Sequence, residues 1–265
     1  MRAICHIGHH KTGTTSLQAF LSSNSNAFLG LGVLYPWVEP EGAVRAQAKA
    51  LHGDAAFTNS SFNIREAHNA LAFRMLSEAL PKWKVPPHHP GLPNANQMMR
   101  GIRFQLRDLQ PEAIVLCSEV MSHFGKVAPD QITRLRVAAL KSVPDITLWC
   151  TLRRPDEQLV SWHGQQLRFG QSPAPLSDPE RGLNLDWLHV DYRGVIEPWM
   201  QAIPEANLAL RPYAETRAAG GSVEDFFKGT GLPRTAEMIP AETLNVGFSP
   251  AVITLLRRAN KVLPN

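Results

Sequence analysis

Four short runs along the chain are almost wholly apolar: Ala3–Gly8, Ala113–Ser118, Ile146–Leu152 and Asn207–Tyr213. Each is bounded by turn or polar residues, and three combine Ile, Val or Leu with a cysteine. Runs of this length without strict alternation predict strands covered on both faces, the pattern of a parallel sheet. Between them apolar residues recur at helical spacing over Ser16–Phe28, Asn63–Ala79, Gln97–Leu109, Pro129–Lys141, Asp156–Phe169, Ser222–Gly229 and Ser249–Lys261. Pro155 and Pro250 suit first turns, and Ser222 with Asp225 has the form of a cap. Strands alternating with helices predict an α/β fold whose central, mostly parallel sheet carries helices on both faces. Residues 35–95 are weakly patterned and end in the proline-rich KVPPHHPGLPN. They predict a lid or acceptor-binding insertion, at about 35–100, in one domain spanning 1–265.

The chain's 265 residues, 44% hydrophobic and 19% charged, describe a globular protein rather than a disordered one. A net charge of +4 without long basic clusters argues against nucleic acid and suits a small polyanion. Cys5, Cys117 and Cys150 are odd in number and lack metal-ligand spacing, so they read as buried free thiols in a reducing compartment. No run approaches the roughly 20 apolar residues of a membrane span, and no signal peptide precedes the first strand. A cytoplasmic location is the expectation.

The first strand runs into HIGHHKTGTTSLQ. A glycine turn opening a helix binds anions because the first helical N–H groups lack partners and the dipole adds positive charge there. Gly13 admits close backbone approach, Lys11 brings a full charge, and Thr12, Thr14, Thr15 and Ser16 offer hydroxyls. The ATP-binding pattern G-x-x-x-x-G-K-[ST] fits at Gly8 and Gly13 and fails at Thr14, where the lysine belongs. The order Lys11-Thr12-Gly13-Thr14-Thr15 resembles instead the 5′-phosphosulfate loop of sulfotransferases that use 3′-phosphoadenosine 5′-phosphosulfate (PAPS).

A second stretch, LWCTLRRPDEQLVSWHGQQ, carries the same resemblance. In that family an arginine after a strand and a serine eight residues later bind the 3′-phosphate. Arg153 and Ser161 stand at that spacing, with Pro155 between them; Arg154 departs from the asparagine many members have. The chemistry is consistent, since a forked guanidinium and a helix hydroxyl both suit phosphate. The resemblance implies a P-loop-NTPase-like three-layer sandwich and sulfuryl transfer from PAPS to a hydroxyl or amine, with release of the 3′,5′-bisphosphate PAP. It implies Lys11 as the stabiliser of the leaving oxygen. Gly220-Gly221 and Leu244–Gly247 are candidates for its adenine contact.

An acceptor proton needs a base. Glu119 follows the second strand in SEVMSHF, similar to the base region of glycan-acting members, and His123 is the reserve. The acceptor expected is a small molecule or, by preference, a carbohydrate or glycoconjugate. His6, His9 and His10 crowd the loop, within reach of phosphate or acceptor. A metal is not expected, because no carboxylate or cysteine lies at matching spacing and Lys11 would repel the ion. His88, His89 and His163 read as solvated, Trp149 and Trp162 as packing residues, and Tyr213 and Glu215 as structural. Trp37, Trp83, Trp187 and Trp199 suit either core or acceptor groove. Two other functions stay open: an ATP-dependent small-molecule kinase, and a non-catalytic nucleotide-binding subunit.

Overall fold

Alternate side chains of a strand leave opposite faces, and in this chain both faces are apolar. Ala3, Cys5 and Ile7 enter one buried cluster with Ile114, Leu116, Ile146, Leu148 and Cys150. Ile4 enters another with Ala113, Val115, Cys117 and Trp149. Apart from Ile7, which directly follows β1, these residues belong to strands β1 (Arg2–His6), β3 (Ala113–Cys117) and β4 (Asp145–Leu152), joined by the two-residue β2 (Val33–Leu34) and by β5 (Asn207–Pro212). The computed structural model describes residues 1–53, 61–178, 180–182, 190–240 and 249–262. Its five strands are all parallel, in the order β2-β3-β1-β4-β5. Cys5 sits opposite Leu116 on one side and Leu148 on the other.

The helices, in chain order, begin with α1 (Thr14–Ser23), α2 (Ser25–Gly30), α3 (Pro40–His52), α4 (Phe62–Arg65), α5 (Ala67–Ala79) and α6 (Ala95–Leu109). Then come α7 (Ser122–Val127), α8 (Asp130–Ala138), α9 (Pro155–Arg168), α10 (Tyr192–Ala202), α11 (Tyr213–Ala218), α12 (Ser222–Thr230) and α13 (Pro250–Val262). The first cluster takes Leu71 and Met75 of α5, Met98 and Ile102 of α6, Leu135 of α8 and Trp199 of α10. The second takes Leu17 and Leu21 of α1, Phe28 of α2 and Phe226 and Phe227 of α12. The result is a three-layer α/β sandwich, as the pattern predicts. Among the described residues, no helix is long and apolar enough to cross a membrane.

Boundaries differ from the pattern where side chains compete with the helix. The expected Ser16–Phe28 helix is broken at Asn24, whose amide donates to the Phe20 carbonyl and clasps the backbone of Ile239 with both ends. The expected Asn63–Ala79 helix is interrupted at Glu66, with φ −123° and ψ 46°. Helix α6 starts on a capping box of Asn94 and Gln97. The Ser222 cap is not formed: Gly221 holds that position, and the Ser222 hydroxyl donates to the carbonyl of Gly13 at 2.8 Å. Two elements emerge only here: β2, just before the weakly patterned region, and α3 within it, capped by the Glu39 carboxylate on the N–H groups of Glu41 and Gly42.

Helices α7 and α10 meet backbone to backbone at Gly125. Pro198, inside α10, has no N–H for the carbonyl of Gly194 four residues earlier. A Cβ on Gly125 would stand 2.5 Å from that oxygen and 2.7 Å from the Val195 oxygen. Gly125→Ala is therefore expected to destabilise the fold by about 1–3 kcal/mol, the range for overpacking. Denaturant unfolding would read it as a lower midpoint at unchanged slope; an unshifted midpoint would mean the helices part freely.

Candidate functional site

All strands being parallel, the C-terminal ends of β1, β3 and β4 share one edge of the sheet, where α/β sites open. The chain leaving β1 stays tied to β4: Thr151 N–H donates to Gly8 at 3.1 Å and His9 N–H to Thr151 at 3.2 Å. Gly8 turns at φ 109°, so close under Glu119 that a Cβ would stand 3.2 Å from its carbonyl oxygen. Lys11 is left-handed at φ 64° and Gly13 at φ 88°, which turns the backbone abruptly into α1. The first turn of α1 has neither a side-chain cap nor an acidic residue. That is the donor set of an anion site.

The loop's hydroxyls divide. Those of Thr12 and Thr14 donate inward to the His9 carbonyl, at 2.5 and 3.3 Å, and both side chains are buried. These bonds brace the loop, and both residues line the cleft. Thr15 and Ser16, half-buried, line the cleft. The amide of the fully buried Gln158 supports the loop from beneath, 3.2 Å from His9 Nδ1 and donating to the His10 carbonyl at 3.1 Å. His6 accepts from Gly8 N–H at Nδ1, and burial pulls its pKa down to about 4.

Helix α9 forms the facing wall. Ser161, Trp162 and Gln165 follow Gln158 at helical spacing, and all three line the cleft. Gln165 Oε1 accepts from Lys11 Nζ at 3.0 Å. Burial lowers the Lys11 pKa, Arg168 and Arg153 lower it too, and Glu119 opposes them. The neighbouring arginines have separate fates. Arg153 faces the cleft, with Nε 3.4 Å from Glu157 and its guanidinium 4.6 Å above the Tyr213 ring. Arg154 points outward, 2.7 Å from Asp156, both largely exposed. The Tyr192 hydroxyl donates to the Arg153 carbonyl at 2.5 Å and fixes that strand end.

The third wall is the end of β3, held by a buried polar network. Cys117 N–H donates to His68 Nδ1 at 3.0 Å, which leaves Nε2–H for the Pro36 carbonyl at 3.1 Å. Burial brings the His68 pKa down to about 3. Asn69 Oδ1 accepts from Gln18 and from the Ser118 hydroxyl, which itself accepts from Val120 N–H. Glu119, so placed, reaches the cleft with its Oε1 3.7 Å from His10 Nδ1. Burial alone would raise its pKa; His10, Lys11 and His6 outweigh that and hold it below the usual carboxylate range. The Nε2 of His10 lies 3.0 Å from Nε2 of His123. Burial, then His10 and His9, keep the His123 pKa well below that of free histidine.

These three walls enclose one cleft of about 2100 Å³, lined by Lys11, Gly13, Thr15, Glu119, Arg153 and Ser161 among others. Gly220 and Gly221 line it beside Gly13, while Leu244–Gly247 and Trp187 lie outside the described residues. Several expectations are corrected. His89 is buried, its Nδ1 3.0 Å from Asn63 Oδ1; of that pair only His88 is exposed. His163 is buried, with Nε2 2.7 Å from Arg257 of α13. Trp162 and Tyr213 line the cleft, whereas Trp149 and Trp199 are core. Sequence reasoning missed Gln165 and the link between His10 and His123. The first was legible as a polar position four residues past Ser161; the second needs two segments more than 100 residues apart. Among the described residues, no group of three or more His, Cys, Asp or Glu side chains is arranged to hold a metal ion. Comparisons with protein-family models, curated proteins and solved structures found no match for the chain.

Proposed function

We propose that the protein is a PAPS-dependent sulfotransferase acting on a hydroxyl or amine, with a carbohydrate or glycoconjugate as the favoured acceptor. The observation that carries this is the shared cleft: the Lys11 loop, the Arg153–Ser161 end of α9 and Glu119 line one space. The residues suit such a nucleotide. The uncapped start of α1 with Lys11 fits the 5′ end, and a Cβ at Gly13 would press on Ser222 at 3.0 Å, so the loop tolerates only a bare backbone there. Arg153, already turned into the cleft, and Ser161 fit a 3′-phosphate. When bound, PAPS supplies the sulfuryl group: a sulfur–acceptor bond forms as the sulfur–oxygen bond to the phosphate breaks, and PAP departs. Lys11 offers charge where that leaving oxygen becomes negative. Glu119 takes the acceptor proton at its carboxylate. Trp162 lines the same cleft and offers an aromatic surface to an acceptor. The free, buried Cys5, Cys117 and Cys150 agree with a reducing, cytoplasmic setting.

Calorimetric titration with PAP, ATP and adenosine 5′-phosphate tests the assignment. PAP is expected to bind tightest. Arg153→Ala should erase most of the preference for the 3′-phosphate, by about 10- to 100-fold, as for loss of a charge-assisted bond. Lys11→Ala should weaken all three ligands. ATP and PAP binding equally well would point to a kinase and overturn the assignment.

A further inference from the structure

We propose that His10 is a proton relay, a positioning residue that takes the proton from Glu119 at Nδ1 while its Nε2–H is held by His123. This rests on the sulfotransferase assignment for the source of the proton; the geometry itself does not. Glu119, His10 and His123 stand in a row, with 3.7 Å from Oε1 to Nδ1 and 3.0 Å from Nε2 to Nε2. All three line the cleft. The row is assembled from three parts of the fold, the loop after β1, the end of β3 and the start of α7, and it is packed on both sides. The His10 ring lies 5.6 Å from that of Trp162, and the His123 ring 5.1 Å from that of Trp83.

A carboxylate held ionised by nearby positive charge is a reluctant proton acceptor, because the base that works best titrates near the operating pH. Lys11 makes Glu119 such a carboxylate. A second acceptor in line removes the difficulty. The proton that Glu119 receives passes to Nδ1 of His10. Glu119 returns to its charged form, and an imidazolium is left between a carboxylate and a neutral imidazole. No atom other than this proton moves, and the charge balances. His123 is suited to the far end, because burial and its neighbours keep it neutral and its Nε2 lone pair can accept from His10. The relay further requires His10 to start with its proton on Nε2. Glu119 and His123 face the His10 ring, with Lys11 and His9 beside it on the loop, and the Trp162 ring lies on the α9 side. Gln158, through the His10 carbonyl, fixes the backbone.

Long-range nitrogen–proton spectra of the imidazole rings, recorded on the protein alone, test the row without any substrate. The expected result is His10 in the Nε2–H form, His10 ring nitrogen signals that shift in Glu119→Gln, and His123 ring signals that shift in His10→Gln. Signals unchanged in either variant, or His10 in the Nδ1–H form, would overturn the relay. With PAPS and an acceptor, His10→Ala is expected to lose at least about tenfold in kcat, keep PAP affinity within about twofold, and regain turnover when imidazole is added. His10→Gln, which preserves bulk and polarity, guards against a folding defect. Turnover at the wild-type level in both variants would likewise overturn the proposal. Failure of the wild type to bind PAP would sink the functional assignment instead, and the ring spectra would then decide whether the row is coupled.

Discussion

Replacing Glu119 by glutamine is expected to lower turnover by about 10²- to 10⁴-fold, the usual worth of a general base, and to leave PAP affinity within about twofold. The substitution keeps the size of the side chain and its place over Gly8. It removes the negative charge and the ability to take a proton. Because its surroundings hold Glu119 below the usual carboxylate range, the wild-type group is ionised at neutral pH and can take a proton, although only as a weak base. The affinity prediction follows from position: Glu119 ends β3, whereas the anion donors belong to the β1–α1 loop and to α9. Single-turnover kinetics with pre-bound PAPS separates the two effects. Normal turnover in Glu119→Gln would remove Glu119 from the mechanism.

Acidification from pH 7 to pH 5 is expected to cost the fold about 4 kcal/mol through His6 and His68 alone. Both are fully buried, with pKa values lowered from 6.5 to about 4 and about 3. In the unfolded chain they take up protons below about pH 6.5, and in the folded protein they do not. The unfolded state therefore binds more protons across that window, and stability falls as pH falls. At pH 5 each group contributes about 2 kcal/mol of loss. His68 has no alternative: Nδ1 is occupied by Cys117 N–H, so a second proton would break the bond that holds β3. Urea midpoints measured at several pH values would show the decline. A midpoint flat between pH 7 and pH 5, or one that rises, would show that these imidazoles do not stay neutral. His68→Gln should flatten the curve even as it lowers the midpoint at pH 7.

Strands β1, β3 and β4 were legible because burial on both faces writes itself as an unbroken apolar run; β5, expected to be covered in the same way, instead lies at the sheet edge with most of its residues exposed. Helix α3 was not, because Gly42 is its only fully buried residue and no apolar stripe marks it. Helix α10 was hidden by Gly194 and Pro198, residues that ordinarily end helices yet here serve the close approach of α7. In the cleft, Lys11, Glu119, Arg153 and Ser161 could be named from spacing, and the structure brings them to one place. Which of two adjacent arginines turns inward depends on where β4 ends and α9 begins, which composition does not encode. The inward bonds of Thr12 and Thr14 depend on the path of a loop two left-handed turns long. His163 was assigned to solvent because Arg257, which covers it, arrives 94 residues later.

The position of β1 has a consequence for synthesis. It is translated before the strands it pairs with, β3 and β4, and before Ser222, the prop beneath Gly13. A nascent chain carries this apolar strand unpaired until β3, more than 100 residues later, has emerged, and with one edge open until β4 follows, a hazard for sheets built from distant pieces. The Lys11–Gly13 turn is thus translated long before the residue that braces it, so a fragment stopped before Ser222 would present that turn without its support.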